Sequence, residues 1–430
     1  MRVGWETKSL QELAAPGKSA MSTGPFGSAV SAKNFRESGV PLLRGGNLSE
    51  DVGVRLDESD LVFIDAELAD GFSRSSVKSG DLVFTCWGTV GQVGLIDATS
   101  QFNTYVVSNK QMKMTPDPGV VDPLFLYYQL STPQMIDLVK SQAIGSSVPG
   151  FNLGQLKSLR VTVPPRIEQQ AIAEVLGALD DKIAANRKLV ETADRLADVT
   201  FAQSVQRHAD LAGGFSGGSS DSTISELAKE GCLTFGDGYR TKRSELADEG
   251  FRIIRVADVF GGEIRPVGED YVSYDHRTTI GVKAAQVGDI VVTTKGTVGR
   301  LGVYEESDGD AVYSPQVCFF RVSENDVLDR AYLRRWFSSP AFVSQSSYRK
   351  GNTDMADYIN LADIGSLKLN LPSIADQRAL AAVLGPLDAT ISTSRVESRA
   401  LTALRDALLP RLMSGELRVR DAEREVEEVL

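Results

Sequence analysis

The stretch QQAIAEVLGALDDKIAANR, Gln169–Arg187, decides the fold because the chain contains it twice. Shifted by 208 residues it falls on QRALAAVLGPLDATISTSR, Gln377–Arg395. Across Glu168–Arg187 and Asp376–Arg395, 10 of 20 positions are identical without a gap. The same shift lays GDLVFTCWGTVGQVGLI (Gly80–Ile96) on GDIVVTTKGTVGRLGVY (Gly288–Tyr304), with 9 of 17 identical. Two segments sharing one offset mean a duplicated globular domain followed by a helix.

Within the repeated stretch, Ile172, Leu176, Leu179, Ile183, Val190, Ala193 and Ala197 recur at spacings of three, four or seven. Leu380, Leu384, Leu387 and Ile391, then Leu401, Leu404 and Leu408, do the same in the second copy. Such a stripe is the seam of a helix that packs on another helix. Alone, each helix would leave its leucines in water, so the two are expected to pair as an antiparallel coiled coil. At 1.5 Å per residue, roughly 35–40 residues give a rod on the order of 50–60 Å. Asn186, Ser394 and Ser398 interrupt the seam; polar seam positions most often fix helix register.

Ahead of each helix lie short β-branched runs separated by Gly, Asp, Asn and Ser: Val40–Arg44, Leu61–Ile64, Leu82–Thr85 and Val93–Ile96, then Phe251–Val256, Ile290–Thr293 and Leu301–Tyr304. They read as strands of a mixed, mostly β domain. Helical patches follow at Pro123–Ser131 and Gln134–Ser141, and at Arg330–Ser338 and Ala341–Tyr348. The alternating LKSLRVTVPP and IGSLKLNLPS close each domain as half-buried strands, and their prolines open the helices. The predicted class is α+β, a pseudo-twofold duplication. It comprises a first domain (1–165), a first long helix (166–210), a Gly/Ser linker (211–222), a second domain (223–373), a second long helix (374–414) and a tail (415–430).

The composition, 42% hydrophobic and 24% charged over 430 residues, suits a globular protein with room for two domains. Cys86, Cys232 and Cys318 stand far apart in apolar runs and read as buried thiols of a reducing compartment. The N-terminal MRVGWETKSLQELA has no apolar core of a signal peptide, and no apolar run reaches membrane-span length. A cytoplasmic protein is expected. The net charge of −11 argues against a nonspecific nucleic-acid binder, but leaves room for a locally basic DNA-facing surface.

No catalytic constellation is visible. His208 and His276 have no Cys or His at metal-ligand spacing, and GGFSGG lacks the Lys-Ser/Thr of a phosphate-binding loop. Asp122-Pro123-Leu124-Phe125 lacks the second proline of an amino-methyltransferase tetrapeptide and is read as chance. Gly88-Thr89-Val90-Gly91 and Gly296-Thr297-Val298-Gly299 each join two strands. Such a turn either holds phosphate oxygens with its amides and hydroxyl, or is a hairpin that uses glycine for positive φ. At its edges, Trp87 and Gln92 become Lys295 and Arg300. Further candidates for base or phosphate contact are Arg44, Asn47, Asn109, Lys110 and Gln111, then Arg255, Gln316 and Asn352. Arg and Lys suit guanine, Asn and Gln suit adenine; each could equally be a solvated or turn-capping side chain.

With these stretches in view the chain resembles the specificity subunits of type I restriction–modification enzymes. The resemblance is carried by GVPLLRGGN (Gly39–Asn47), SGDLVFTCWGTVG (Ser79–Gly91) and its echo VGDIVVTTKGTVG (Val287–Gly299). It extends to PPRIEQQAIAEVLGALDDKI (Pro164–Ile183) and LLPRLMSGELRV (Leu408–Val419). The second copy departs at FRIIRVADV (Phe251–Val259), which lacks the Gly-Gly-Asn of the first. The resemblance implies two target-recognition domains, each reading half of a split double-stranded DNA site, with the helices setting the gap. It also implies no bound cofactor and no activity in this chain alone. Two modification subunits would bring S-adenosylmethionine for adenine methylation, and restriction subunits using ATP and Mg can join. Two other readings stay open: a specificity chain of a related system with fused modification and cleavage, and a two-domain scaffold for protein ligands.

Overall fold

The computed structural model describes residues 4–25, 27, 29–145, 149–212, 220–265, 268–349, 351–352 and 357–428. The centre of the expected Gly/Ser linker lies outside them. The chain forms two compact units, Met1–Leu189 with Thr393–Leu430, and Val190–Ser392. Both are α+β, and each contains a stretch of both long helices, Arg166–Ala212 and Ile374–Met413.

In the first unit, strand Glu6–Ser9 pairs antiparallel with Arg160–Val163, so the strand that closes the domain lies beside the one that opens it. Ser9 and Glu12 then cap a short helix reciprocally: the Glu12 amide donates to Ser9 Oγ (3.3 Å) and the Ser9 amide to Glu12 Oε2 (2.7 Å). One four-stranded antiparallel sheet runs Met21–Thr23, Gln111–Met114, Leu82–Thr85, Val93–Leu95. A second runs Val62–Ile64, Val40–Leu43, Tyr105–Val107, Ser76–Val77, with its two central strands parallel. Leu82, Phe84, Met112 and Met114 bury one face of the first sheet against Phe125 and Leu126 and against Ile172, Leu176, Leu179 and Ile183 of the first long helix. Leu401 and Leu408 of the second long helix complete this core, with Leu404 partly buried against it.

The helices run antiparallel here. Asp180 meets Arg405 (2.9 Å), whereas Asn186, further along, donates to Glu397 (2.8 Å), which also pairs with Lys182 (3.1 Å). Asn186 and Ser394 are buried, and Ser398 Oγ donates to the Ser394 carbonyl, so the polar seam positions are spent within or between helices.

The second unit repeats the plan. Ser220–Thr223 pairs antiparallel with Lys368–Leu371, and Thr223 and Glu226 repeat the reciprocal cap. Its antiparallel sheet runs Leu233–Asp237, Val317–Val322, Ile290–Thr293, Leu301–Val303. In the other sheet, Phe251–Ile254 lies parallel to Ala311–Tyr313, as its counterpart does in the first unit. Leu380 and Leu384 are buried here beside Ala197 and Phe201, with Leu387 partly buried; Ile391 is fully buried.

The departure at FRIIRVADV leaves the backbone unchanged. Val256–Asp258 forms the same 3₁₀ turn as Gly45–Asn47 because Asp258 does what Asn47 does: each accepts the amide of the arginine before the turn, Arg255 at 2.6 Å and Arg44 at 2.8 Å. All three cysteines are buried and free. No helix among the described residues is long and apolar enough to cross a membrane.

Candidate nucleic-acid interface

Each unit has a corner where three segments meet at its Gly-Thr-Val-Gly loop. In the first, the Cys86 amide donates to the Lys110 carbonyl (2.9 Å), the Phe151 amide to Cys86 O (2.9 Å) and the Gly88 amide to Pro149 O (3.2 Å). In the second, the Thr294 amide donates to Gln316 O, that of Ile359 to Thr294 O and that of Gly296 to Asp357 O, each at 2.9 Å. These bonds set Trp87, Lys110 and Gly150 together in one unit, and Lys295, Gln316 and Tyr358 in the other. Short β-bridges join Trp87 to Gly150 and Lys295 to Tyr358, 208 residues apart at both ends. The glycine pairs of the loops all have positive φ (91° and 105°, then 79° and 93°), which is why glycine stands there.

The loop amides are less available than the sequence suggests. Those of Gly88, Val90, Gly296 and Gly299 donate within their own domain and are taken up there. Trp87 is 53% exposed and lies over Gly150, where an added Cβ would come within 3.0 Å of its ring. Thr89, Lys110, Lys295, Thr297 and Gln316 are exposed, and Arg300 is half-buried. Burial pushes the Cys86 thiol up to about 11, so the cysteine beside Trp87 stays protonated at neutral pH. A cleft of about 470 Å³ lies against the first loop, with Lys140, Glu50 and Ser49 on its walls.

The 3₁₀ turns carry the other candidates. An added Cβ at Gly45 would stand 3.6 Å from Gln111 Nε2 and 3.9 Å from Thr89 Oγ1, so the first turn adjoins the first loop. In the second unit, the turn leads into the hairpin Val259–Phe260 with Glu263–Ile264, and Arg300 lies over the Phe260 ring at 5.6 Å. Arg44 and Arg255 are held alike, by Asp60 (3.1 Å) and Asp270 (2.6 Å).

Two expected base readers sit inside instead. Asn47 is 2% exposed, and its amide donates to Asp57 O (2.9 Å) while its oxygen caps the turn. Gln111 is fully buried beneath the loop, accepting from Ser108. Both shape the corner from within. Asn352 stands opposite Asp357 in the hairpin register of the second corner. Sequence reasoning passed over Tyr358 and Phe260. The 208-residue shift from Gly150 would have pointed to Tyr358, whereas nothing in the first copy matches the Phe260 hairpin.

Residues 3–193 match the model of the type I restriction modification DNA specificity domain. The MjaVIII type I restriction enzyme specificity subunit of Methanocaldococcus jannaschii is 22% identical over 331 residues, covering 74% of this chain and 75% of its own. A putative MjaX specificity subunit of the same organism is 19% identical over 97% of this chain and 94% of its own. The crystal structure of a type I restriction–modification system S subunit from M. genitalium has the same fold, with a TM-score of 0.57 at 18% identity over 95% of this chain and 96% of that one. The chain is thus similar along most of its length to specificity subunits of type I restriction–modification enzymes, and its residues 3–193 match their DNA specificity domain.

Proposed function

We propose that this chain is the non-catalytic DNA-reading subunit of a type I complex, each corner contacting one half of a bipartite site. The observation that carries this is the pair of corners: one backbone arrangement, 208 residues apart, presenting different exposed side chains. A shared scaffold with unlike contact residues suits two readers of unlike sequences. Trp87, Thr89, Lys110 and Arg44 are assigned to one half-site. Lys295, Thr297, Arg300, Gln316, Arg255 and Asn352 are assigned to the other. Asn47 and Gln111 position the first set. Domains 1–165 and 223–373 are taken as the readers, and the long helices as the spacer and the docking surface for two modification subunits. Those subunits would carry S-adenosylmethionine and flip the target adenine into their own pocket; restriction subunits would bring ATP and Mg chemistry.

Sequencing adenine methylation in the host with and without this gene tests the reading. Loss of one split, gapped motif is expected; an unchanged methylome in a strain expressing the modification subunits would overturn it. A spacer role adds that inserting one helical turn, about 5.4 Å, lengthens the gap and leaves both half-sites as they were.

A further inference from the structure

The two units anchor equivalent aspartates, one buried and one half-buried, in opposite ways. Asp180 and Asp388 are related by the 208-residue shift. Asp180 is 2% exposed and binds Arg405 (2.9 Å), a residue of the opposing helix that is itself 2% exposed and also reaches Asp51 (3.2 Å). Tyr128, fully buried on the domain, donates its hydroxyl to the same carboxylate. In the second unit the arginine comes from the domain. Arg335, 2% exposed, binds Asp388 and reaches Asp194 (2.9 Å) and Asp198 (3.1 Å) on the opposing helix.

Tyr128 and Arg335 occupy one position of the repeat, each six residues after the aspartate, Asp122 or Asp329, that caps its helix. Arg405 shifts onto Ala197, which is fully buried in the second unit. Each unit therefore holds one almost fully buried arginine on its shared aspartate, borne on the opposing helix in one and on the domain in the other; the less buried Arg334 also pairs with Asp388, and Arg55 of the first domain is taken up by Asp97 and Asp181.

We infer that this exchange makes each half of the chain accept the unlike half and reject a second copy of itself. Two first halves would set Asp180 and Tyr128 against Ala197, with the Asp194 and Asp198 carboxylates beside it, and would leave on the domain side only Arg55, which is already bound to Asp97 and Asp181. Two second halves would set Asp388, which already holds Arg334 and Arg335, against Arg405 as well. A buried charge without a partner costs far more than the pair gains, so either like pairing is penalised while the apolar seam would tolerate both. The partner that this surface fits is the complementary half of the same chain, whatever the corners bind.

Single substitutions in the full chain recreate each forbidden junction. In the first unit, Arg405→Ala gives the junction of two first halves, and Tyr128→Arg that of two second halves. The double variant gives the other unlike arrangement, the one found in the second unit. Thermal unfolding is expected to fall by roughly 5–10 °C in each single variant and to recover by more than half in the double. The mirror set is Arg335→Tyr, Ala197→Arg and their double, which decides the matter if a first-unit variant does not fold. Recovery in either set supports the inference. Losses that simply add in every set that folds overturn it, because a role in packing alone would not be restored by an arginine from the other side.

Discussion

The loops Gly88–Gly91 and Gly296–Gly299 have the same four residues and are closed by different bonds. In the second unit the Thr293 hydroxyl donates to Thr297 O and accepts from the Arg300 amide (2.9 Å), and the Gly299 amide donates to Thr293 O (2.9 Å). In the first, the equivalent Thr85 hydroxyl is buried without a partner among the described residues, and Thr89 Oγ1 donates to Gln92 Oε1 (2.6 Å). Glycine lets the backbone turn in both, while the first loop is tied by the Gln92 side chain and the second by the Arg300 backbone amide. Such a loop is a scaffold whose edges can diverge.

The comparison is open to test, starting with the largest effect. Replacing Lys295 and Arg300 together by Ala should weaken DNA binding by the assembled complex about tenfold to a hundredfold and flatten its salt dependence. The first half-site should be read as before; equal loss of specificity at both halves would count against separate corners. Trp87→Ala should cost about 1–3 kcal/mol of DNA binding if the ring stacks on a base. Trp5 and Trp336 are 7% and 4% exposed, so quenching of tryptophan fluorescence by DNA should vanish in this variant. Thr293→Val should lower stability by about 1–3 kcal/mol, whereas Thr85→Val, which removes a buried hydroxyl with no partner, should be near neutral. Urea unfolding of the two variants would separate the loops, and equal losses would erase the distinction.

The smallest effect concerns the helices. Hydrogen bonds from Lys182 and then Asn186 hold the Glu397 carboxyl below its usual value. A depressed folded-state value contributes stability that is present above the ordinary glutamate range, about 4.3, and lost as pH falls through the lowered value. Glu397→Gln should therefore flatten the acid limb of the unfolding curve slightly and leave the neutral plateau little changed.

The duplication and the helix seam were legible because both are patterns along the chain, one of identity and one of spacing. Side-chain direction was not. Asn47 and Gln111 have the chemistry of adenine readers, and only the folded turn shows that their amides point inward. Gly-Gly-Asn and Val-Ala-Asp look unlike, yet one capping oxygen at the third position gives both the same 3₁₀ turn. The buried arginines were invisible for another reason. A heptad reading marks Leu404 and Leu408 and passes over Arg405, since nothing along the helix tells that an aspartate from elsewhere faces it.

Gln169 and Gln377 hold each domain to its helix by the same grip. Gln169 accepts from the Asp122 amide (2.8 Å) and donates to Pro164 O (2.8 Å). Gln377 accepts from the Asp329 amide (2.9 Å) and donates to Pro372 O (2.9 Å) and Val327 O (2.9 Å). Every atom it holds belongs to the backbone, which all amino acids share. A gene segment encoding a domain with a different surface could therefore be spliced in ahead of either proline and still be held. On the function proposed above, such recombination would yield a new specificity without stepwise re-engineering of the joint.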